Sequence, residues 1–370
     1  MNINNLSTPS FLLDLNKLEK NINDFQKMAN DNNCSLWPML KTHKSTEITR
    51  MQIEAGAEGI LAGTIDEAFL VVEKSNVKKV MLAYPVLGKE NINRVLELKE
   101  LAEVYISLDG IEGAKEISAA LGDNEINYLL ILDSGLHRFG VSSDKIADLA
   151  KEISQYKNLK FKGICTHTGQ VYGVPDATHL PAVIEEEIKT TTDAVRNLEN
   201  AGFKCEVVAT GTTPTFSEAI KSPVINVTRP GNYVFFDVIQ VALGIVKEEE
   251  CSLTVMATIV SKPYDDLFIL DCGSKCLGLD KGAHGSSLIN GFGMVKGHSE
   301  LSVIGLSEEV AKVKIEGNTT LKVGDKVQII PNHSCSAANM TSFLIGHRDG
   351  EVERVIEIDI RGNSQRPKIG

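Results

Sequence analysis

Leu36-Trp37-Pro38-Met39-Leu40-Lys41-Thr42-His43-Lys44 is a short apolar run that ends in a lysine and passes straight into a helix-like stretch. It is the first of eight such units. Apolar segments at 36–41, 59–62, 80–84, 103–108, 128–132, 161–167, 206–210 and 224–227 each read as a strand. Each is apolar along most of its length, as strands covered on both faces must be. Helical stretches at 64–75, 90–99 and 178–201 lie between them. Thr64-Ile65-Asp66-Glu67 has the spacing of a capping box. Pro214 after Thr213 suits a first helical position, and Leu18, Ile22, Phe25 and Met28 share one helical face ahead of the first strand. Eight strand–helix units in about 190 residues predict an α/β fold, a closed TIM (β/α)8 barrel over residues 16–240 rather than an open doubly wound sheet.

After residue 240 the rhythm changes. Segments at 252–262, 266–271, 311–315, 326–330 and 352–358 read as strands joined by Gly-rich or polar turns, with no helix between them. They predict a second, mainly β domain over residues 241–370. The extended run Phe11-Leu12-Leu13-Asp14-Leu15 has no place in the barrel, so residues 1–15 are assigned to that β domain.

The 370 residues are 42% hydrophobic and 24% charged, an ordinary globular composition. A net charge of -11 argues against nucleic acid or an acidic membrane as partner, since both want a basic face. No apolar run approaches the roughly 18 residues of a membrane span, and the amino terminus does not read as a signal peptide. The cysteines number seven, an odd count with no Cys-x-x-Cys pair. A reducing cytoplasm is the expected compartment.

The working groups of such a barrel belong at the carboxyl ends of its strands. Lys41 stands at the first of these, and a lysine in a barrel mouth is a nucleophile toward carbonyl compounds. A lone lysine is more often a surface residue; the other strand ends shift the balance. They read Asp133-Ser134-Gly135-Leu136-His137-Arg138-Phe139-Gly140, Thr166-His167-Thr168-Gly169-Gln170-Val171-Tyr172, Gly211-Thr212-Thr213-Pro214 and Arg229-Pro230-Gly231-Asn232-Tyr233. Gly/Thr loops opening helices offer free N–H groups to an anion, and barrel phosphate sites follow strands seven and eight. His167 can lay its ring on a flat cofactor, and Arg138 and Arg229 can donate to it. Lysine, phosphate cradle, arginine and stacking ring together predict a pyridoxal 5'-phosphate site. His333-Ser334-Cys335 follows a strand and adds an imidazole and a thiol, a pair that suits zinc in an open, catalytic site. Mn2+ or Mg2+ are the other metals considered. No Gly-x-Gly-x-x-Gly after a strand, Walker loop or Gly-x-Ser-x-Gly elbow occurs.

Thr8-Pro9 with Asp14-Leu15, Lys41-Thr42-His43-Lys44, the 133–140 and 229–233 stretches, Gly211-Thr212-Thr213-Pro214-Thr215 and Pro331-Asn332-His333-Ser334-Cys335 run in order along nearly the whole chain. Together they resemble the D-threonine aldolase/D-serine dehydratase family of fold-type III pyridoxal-phosphate enzymes, relatives of alanine racemase. The resemblance implies a head-to-tail homodimer acting on a small D-amino acid. Lys41 matches the Schiff-base lysine and His167 the ring-stacking histidine. The Gly211, Thr212, Thr213 and Gly231, Asn232, Tyr233 loops match the phosphate cradle. Arg138 matches the arginine near the phenolic oxygen, Arg229 the one facing the ring nitrogen, and His333 and Cys335 the metal ligands. Tyr172 matches the tyrosine of the family's Gly-His-x-Tyr, read here as Gly169-Gln170-Val171-Tyr172. The family's Arg-Pro-His is Trp37-Pro38-Met39, and its Glu-Glu-His is Glu308-Glu309-Val310. His-x-Cys resembles the zinc-dependent dehydratases, which favours β-elimination on D-serine or D-threo-3-hydroxyaspartate to a keto acid and ammonia. Retro-aldol cleavage of D-threonine to glycine and acetaldehyde is the alternative. Racemisation would need a second base, for which Tyr264 is the one tyrosine after residue 233. A non-catalytic cofactor carrier would not need the β domain.

Overall fold

The computed structural model describes residues 1–281 and 288–362. Strand β1 (Ser10–Asp14) leads into helix α1 (Leu15–Asp31). The barrel strands follow: β2 (Ser35–Leu36), β3 (Ile60–Ala62), β4 (Lys79–Leu82), β5 (Glu103–Leu108), β6 (Ile126–Ile131), β7 (Leu159–Cys165), β8 (Val207–Thr210) and β9 (Val227–Thr228). All pair in parallel in the order β2-β9-β8-β7-β6-β5-β4-β3. The gap between β2 and β3 is spanned by one parallel bridge, Met39 to Leu61, where the Leu61 N–H donates to the Pro38 carbonyl at 2.9 Å. The ring therefore closes on a single bridge rather than a ladder. Pro38, with no N–H to contribute, cuts β2 short. For the same reason Lys41 lies not at a strand end, as the sequence suggested, but in a 3-10 turn, Leu40–Thr42.

Side chains pointing inward, among them Trp37, Met39, Leu61, Met81, Leu129 and Val207, fill the barrel. Gly163 is fixed by its neighbour: a Cβ there would stand 1.9 Å from the Val207 carbonyl oxygen, so only glycine lets β7 and β8 pair. The Thr64 capping box forms, with the Thr64 hydroxyl accepting from Glu67 N–H at 3.2 Å and the Glu67 carboxylate from Thr64 N–H at 3.3 Å. Pro214 falls in a turn ahead of the helix Phe216–Ala219, not inside it.

The second unit is a nine-stranded, mainly antiparallel sheet. Its strands are β10 (Leu253–Tyr264), β11 (Leu267–Leu270), β12 (Met294–Val295), β13 (Leu301–Leu306), β14 (Ala311–Ile315), β15 (Lys326–Ile330), β16 (Phe343–Arg348) and β17 (Glu351–Glu357), with β1 inserted between β10 and β16. β1 runs antiparallel to β10 and parallel to β16, with Leu12 opposite Ile345. The two units share a core. Leu18 and Ile22 of α1 pack with Phe216 and Tyr233 of the barrel and Leu253 and Leu344 of the sheet. Each such fully buried side chain contributes about 2 kcal/mol of apolar burial. Among the described residues no helix is long and apolar enough to cross a membrane.

Candidate active site

At the carboxyl-end rim of the barrel, facing the loop after β15, lies a cavity of about 240 Å³. Lys41, Arg138, His167, Tyr172, Gly211, Thr212, Thr213, Arg229, Gly231, Asn232, His333 and Cys335 line it. Of the sequence candidates only Tyr233 is absent from the lining. Its ring is buried against Phe25 at 4.5 Å between centroids, and its hydroxyl accepts from Gln52 Nε2 at 2.8 Å. In the 3-10 turn Asn232–Val234 the Asn232 side chain lines the cavity while Tyr233 points into the core behind it.

The turn carrying Lys41 is held on both sides. Asn339 Nδ2 donates to the Lys41 carbonyl at 3.1 Å, and the Thr42 hydroxyl meets Cys335 Sγ at 3.1 Å. Behind it, Lys44 forms a buried ion pair with Glu67 at 3.0 Å. His43 is buried, accepts from Ser45 N–H through Nδ1 at 3.2 Å, and is pushed down to about 4 by that burial. Gly231 must be glycine: a Cβ would stand 2.9 Å from the Met39 Cβ and 3.0 Å from the Thr42 hydroxyl. Arg229 is fixed by donating to the Thr166 carbonyl from Nε at 3.1 Å and also from Nη2. Arg138 lies across the rings of Tyr84 and Phe139, 5.6 and 5.5 Å from their centroids. Gln170, in place of the family histidine, donates to the Ser134 carbonyl at 2.6 Å, tying two rim loops together.

The loop after β8 carries a feature invisible in the sequence. Glu187, from the helix Leu180–Asn200, is fully buried and accepts from the Thr210 hydroxyl and, at 3.1 Å, from Gly211 N–H. Burial holds its carboxyl above the usual range, against the donors around it. Thr212 N–H donates to the Thr215 hydroxyl at 3.2 Å. The Thr213 hydroxyl and the Asn232 side-chain oxygen are buried with no partner in the protein. A lysine across the cavity from small residues and unpartnered polar atoms fits pyridoxal phosphate.

At the other end stand the imidazole and the thiol. His333 Nδ1 donates to Asp280 at 2.6 Å, and the Ser336 hydroxyl donates to the same carboxylate oxygen at 3.0 Å. Burial pulls the His333 imidazole down, but the facing Cys335 thiolate and Asp280 outweigh it and push the group up to about 11. Cys335 moves the opposite way. Burial would raise it, yet His333, Lys41 and Thr42 bring it below the ordinary thiol range. Asp237, fully buried, accepts from Ser334 N–H at 2.9 Å and Asn232 Nδ2 at 2.6 Å, clamping the two loops together. Among the described residues no group of three or more His, Cys, Asp or Glu side chains converges on one point. Two donors with a carboxylate behind the histidine fit an open metal site, the carboxylate engaging Nδ1 so that Nε2 would be the ligating nitrogen. Of the remaining departures, Met39 lines the cavity as part of its apolar wall, whereas Val310 is exposed beyond it in the turn joining β13 to β14.

A parallel barrel with a lysine on its carboxyl rim and an antiparallel sheet beside it is the architecture of the fold-type III pyridoxal-phosphate enzymes. Residues 13–238 match the alanine racemase N-terminal domain and residues 252–346 a serine dehydratase domain. The D-serine dehydratase of Dictyostelium discoideum is 30% identical, over 95% of this chain and 96% of its own. The D-threonine aldolase of an Arthrobacter species is 27% identical over 97% and 94%. The crystal structure of D-threonine aldolase from Filomicrobium marinum superposes with a TM-score of 0.87 at 25% identity, covering 96% of this chain and 95% of that one. The chain belongs to the D-threonine aldolase/D-serine dehydratase family of pyridoxal-phosphate lyases.

Proposed function

We propose that this lyase acts on D-β-hydroxy amino acids and that its main reaction is β-elimination, from D-serine or D-threo-3-hydroxyaspartate, to a keto acid and ammonia. The observation that carries this reading is the His333–Cys335 pair lining the same cavity as Lys41 and joined to its turn through Thr42. When bound, pyridoxal phosphate supplies an electron sink and zinc a Lewis acid. Lys41 would hold the cofactor, and its Nζ would accept the proton from the substrate Cα. His167 would face the cofactor ring, Arg138 would serve its phenolic oxygen and Arg229, braced by Thr166, its ring nitrogen. Tyr172, Thr213, Gly231 and Asn232 would form the phosphate end, and His333 and Cys335 would hold the metal. Mn2+ or Mg2+ are the other ions to test, although a thiolate favours zinc.

Retro-aldol cleavage uses the same residues on a different bond, and the aldolase relatives keep it as the second reading. Tyr264 is exposed on the β10–β11 hairpin and does not line the cavity, which gives racemisation no support from this chain. The barrel over 16–240 and the sheet unit over 241–370 with 1–15 are the functional units of the proposal, paired head to tail in a cytoplasmic homodimer. The seven free thiols suit that compartment.

The test is to load the purified protein with pyridoxal phosphate and zinc and offer D-serine, D-threonine and D-threo-3-hydroxyaspartate. Keto acid with ammonia, lost on chelation, is the expected result. Glycine with an aldehyde would transfer the assignment to the aldolase, and cofactor bound with no product from any of the three would overturn both.

A further inference from the structure

The loop after β8 does not offer its amides as its sequence suggested. Gly211 N–H is taken by Glu187 and Thr212 N–H by the Thr215 hydroxyl, while Thr213 N–H faces the Tyr172 hydroxyl. At this loop an anion therefore depends mainly on side chains. Gln240, on the helix Val238–Ala242, is fully buried and lines the cavity. Neither its Nε2 nor its Oε1 has a hydrogen-bond partner, a costly arrangement for a buried amide. It sits in an otherwise apolar run, Val238-Ile239-Gln240-Val241, where leucine would pack without that cost. Its amide and the Thr213 N–H both face the Tyr172 hydroxyl. The Thr213 hydroxyl is likewise buried and unpartnered.

We infer that Gln240 is a binding residue for the phosphate of the cofactor, donating from Nε2 to a phosphate oxygen together with the hydroxyls of Thr213 and Tyr172. The inference rests on the proposed pyridoxal-phosphate site and adds a side-chain cradle to it. A donor facing a charged oxygen in a site closed to water is worth far more than the same contact in solvent, which accounts for a buried amide being kept there.

The test is cofactor affinity, not turnover. The full-length protein is freed of cofactor and titrated with pyridoxal phosphate and, separately, with pyridoxal, which lacks the phosphate, following absorbance of the lysine adduct. Gln240→Leu is expected to weaken pyridoxal phosphate roughly tenfold to a hundredfold, the size of one hydrogen bond to a charged group, and to leave pyridoxal within about twofold. Gln240→Glu keeps the shape, sets a carboxylate against the phosphate and is expected to weaken it further. Thermal melts of the cofactor-free variants check that the fold is retained. Equal losses for both compounds, or no loss for either, would overturn the inference. A parent protein that binds neither compound would overturn the functional reading and this inference with it, whereas normal binding by the parent and by Gln240→Leu sinks the inference alone.

Discussion

His43 and His333 stand behind the two ends of one cavity and are held in opposite states. His43, under the turn that carries Lys41, is fully buried, and that burial outweighs Asp359 and the hydrogen bonds around it and pushes it down to about 4. His333 is nearly as buried, yet Asp280 and the Cys335 thiolate push it up to about 11. Burial alone favours the neutral form; burial with partners reverses the sign. Behind the cofactor end, burial thus shifts His43 and Glu187 toward their neutral forms, beside the buried Lys44–Glu67 ion pair. The metal end rests on charges that hold one another until an ion replaces the proton.

The comparison can be broken most sharply at Lys41. Lys41→Ala is expected to lower turnover by more than about a thousandfold, as loss of a covalent and proton-moving group does, and to abolish the absorbance of the lysine adduct while the melting temperature stays near the parent's. Next comes acid stability. The folded His43 protonates near 4 and the unfolded one at 6.5. Its contribution is therefore complete above pH 6.5 and lost as pH falls toward 4, by roughly 3 kcal/mol in all. Denaturant melts at pH 7.5 and 4.5 should show that loss, and His43→Gln should shrink it. At the metal end, Asp280→Asn keeps the shape but removes the charge behind His333, and a tenfold to hundredfold drop in zinc affinity is expected by competition with a chelator, with cofactor binding unchanged. Glu187 gives the smallest effect. Glu187→Gln keeps an acceptor for Gly211 N–H and should alter cofactor affinity less than about threefold, while Glu187→Ala strands buried donors and should cost about 1–3 kcal/mol in a denaturant melt.

The sequence showed the barrel because its strands are buried on both faces and so appear as continuous apolar runs; strands such as Lys79–Leu82 and Ile126–Ile131 begin within one or two residues of their sequence assignments. It missed β12, which is two residues long, β13, whose pairing is broken by a bulge before Gly305, and β16, where Gly346 and His347 interrupt the alternation. At the site, Lys41, His333 and Cys335 were legible because each follows a short strand in a distinctive pattern. Asp280, Asp237 and Glu187 were not. Carboxylates are common on surfaces, and only the fold shows that these three are turned inward against partners distant in the chain. Gln240 left one readable trace, a lone amide in an apolar helix. Tyr233 was over-read, because a turn residue next to a cradle is not obliged to face it.

The place of β1 sets the order in which this protein can be finished. Its neighbours are β10 and, more than 300 residues downstream, β16. At about 5–20 residues per second a ribosome needs roughly 15–70 s between making the two. The barrel strands are all made in that interval and can find one another as they emerge. The large sheet cannot be completed until β16 reaches β1. Until then the edge of β1 that pairs with β16 stays open, even after β10 has joined its other side, so the β unit is the last part of this molecule to be completed.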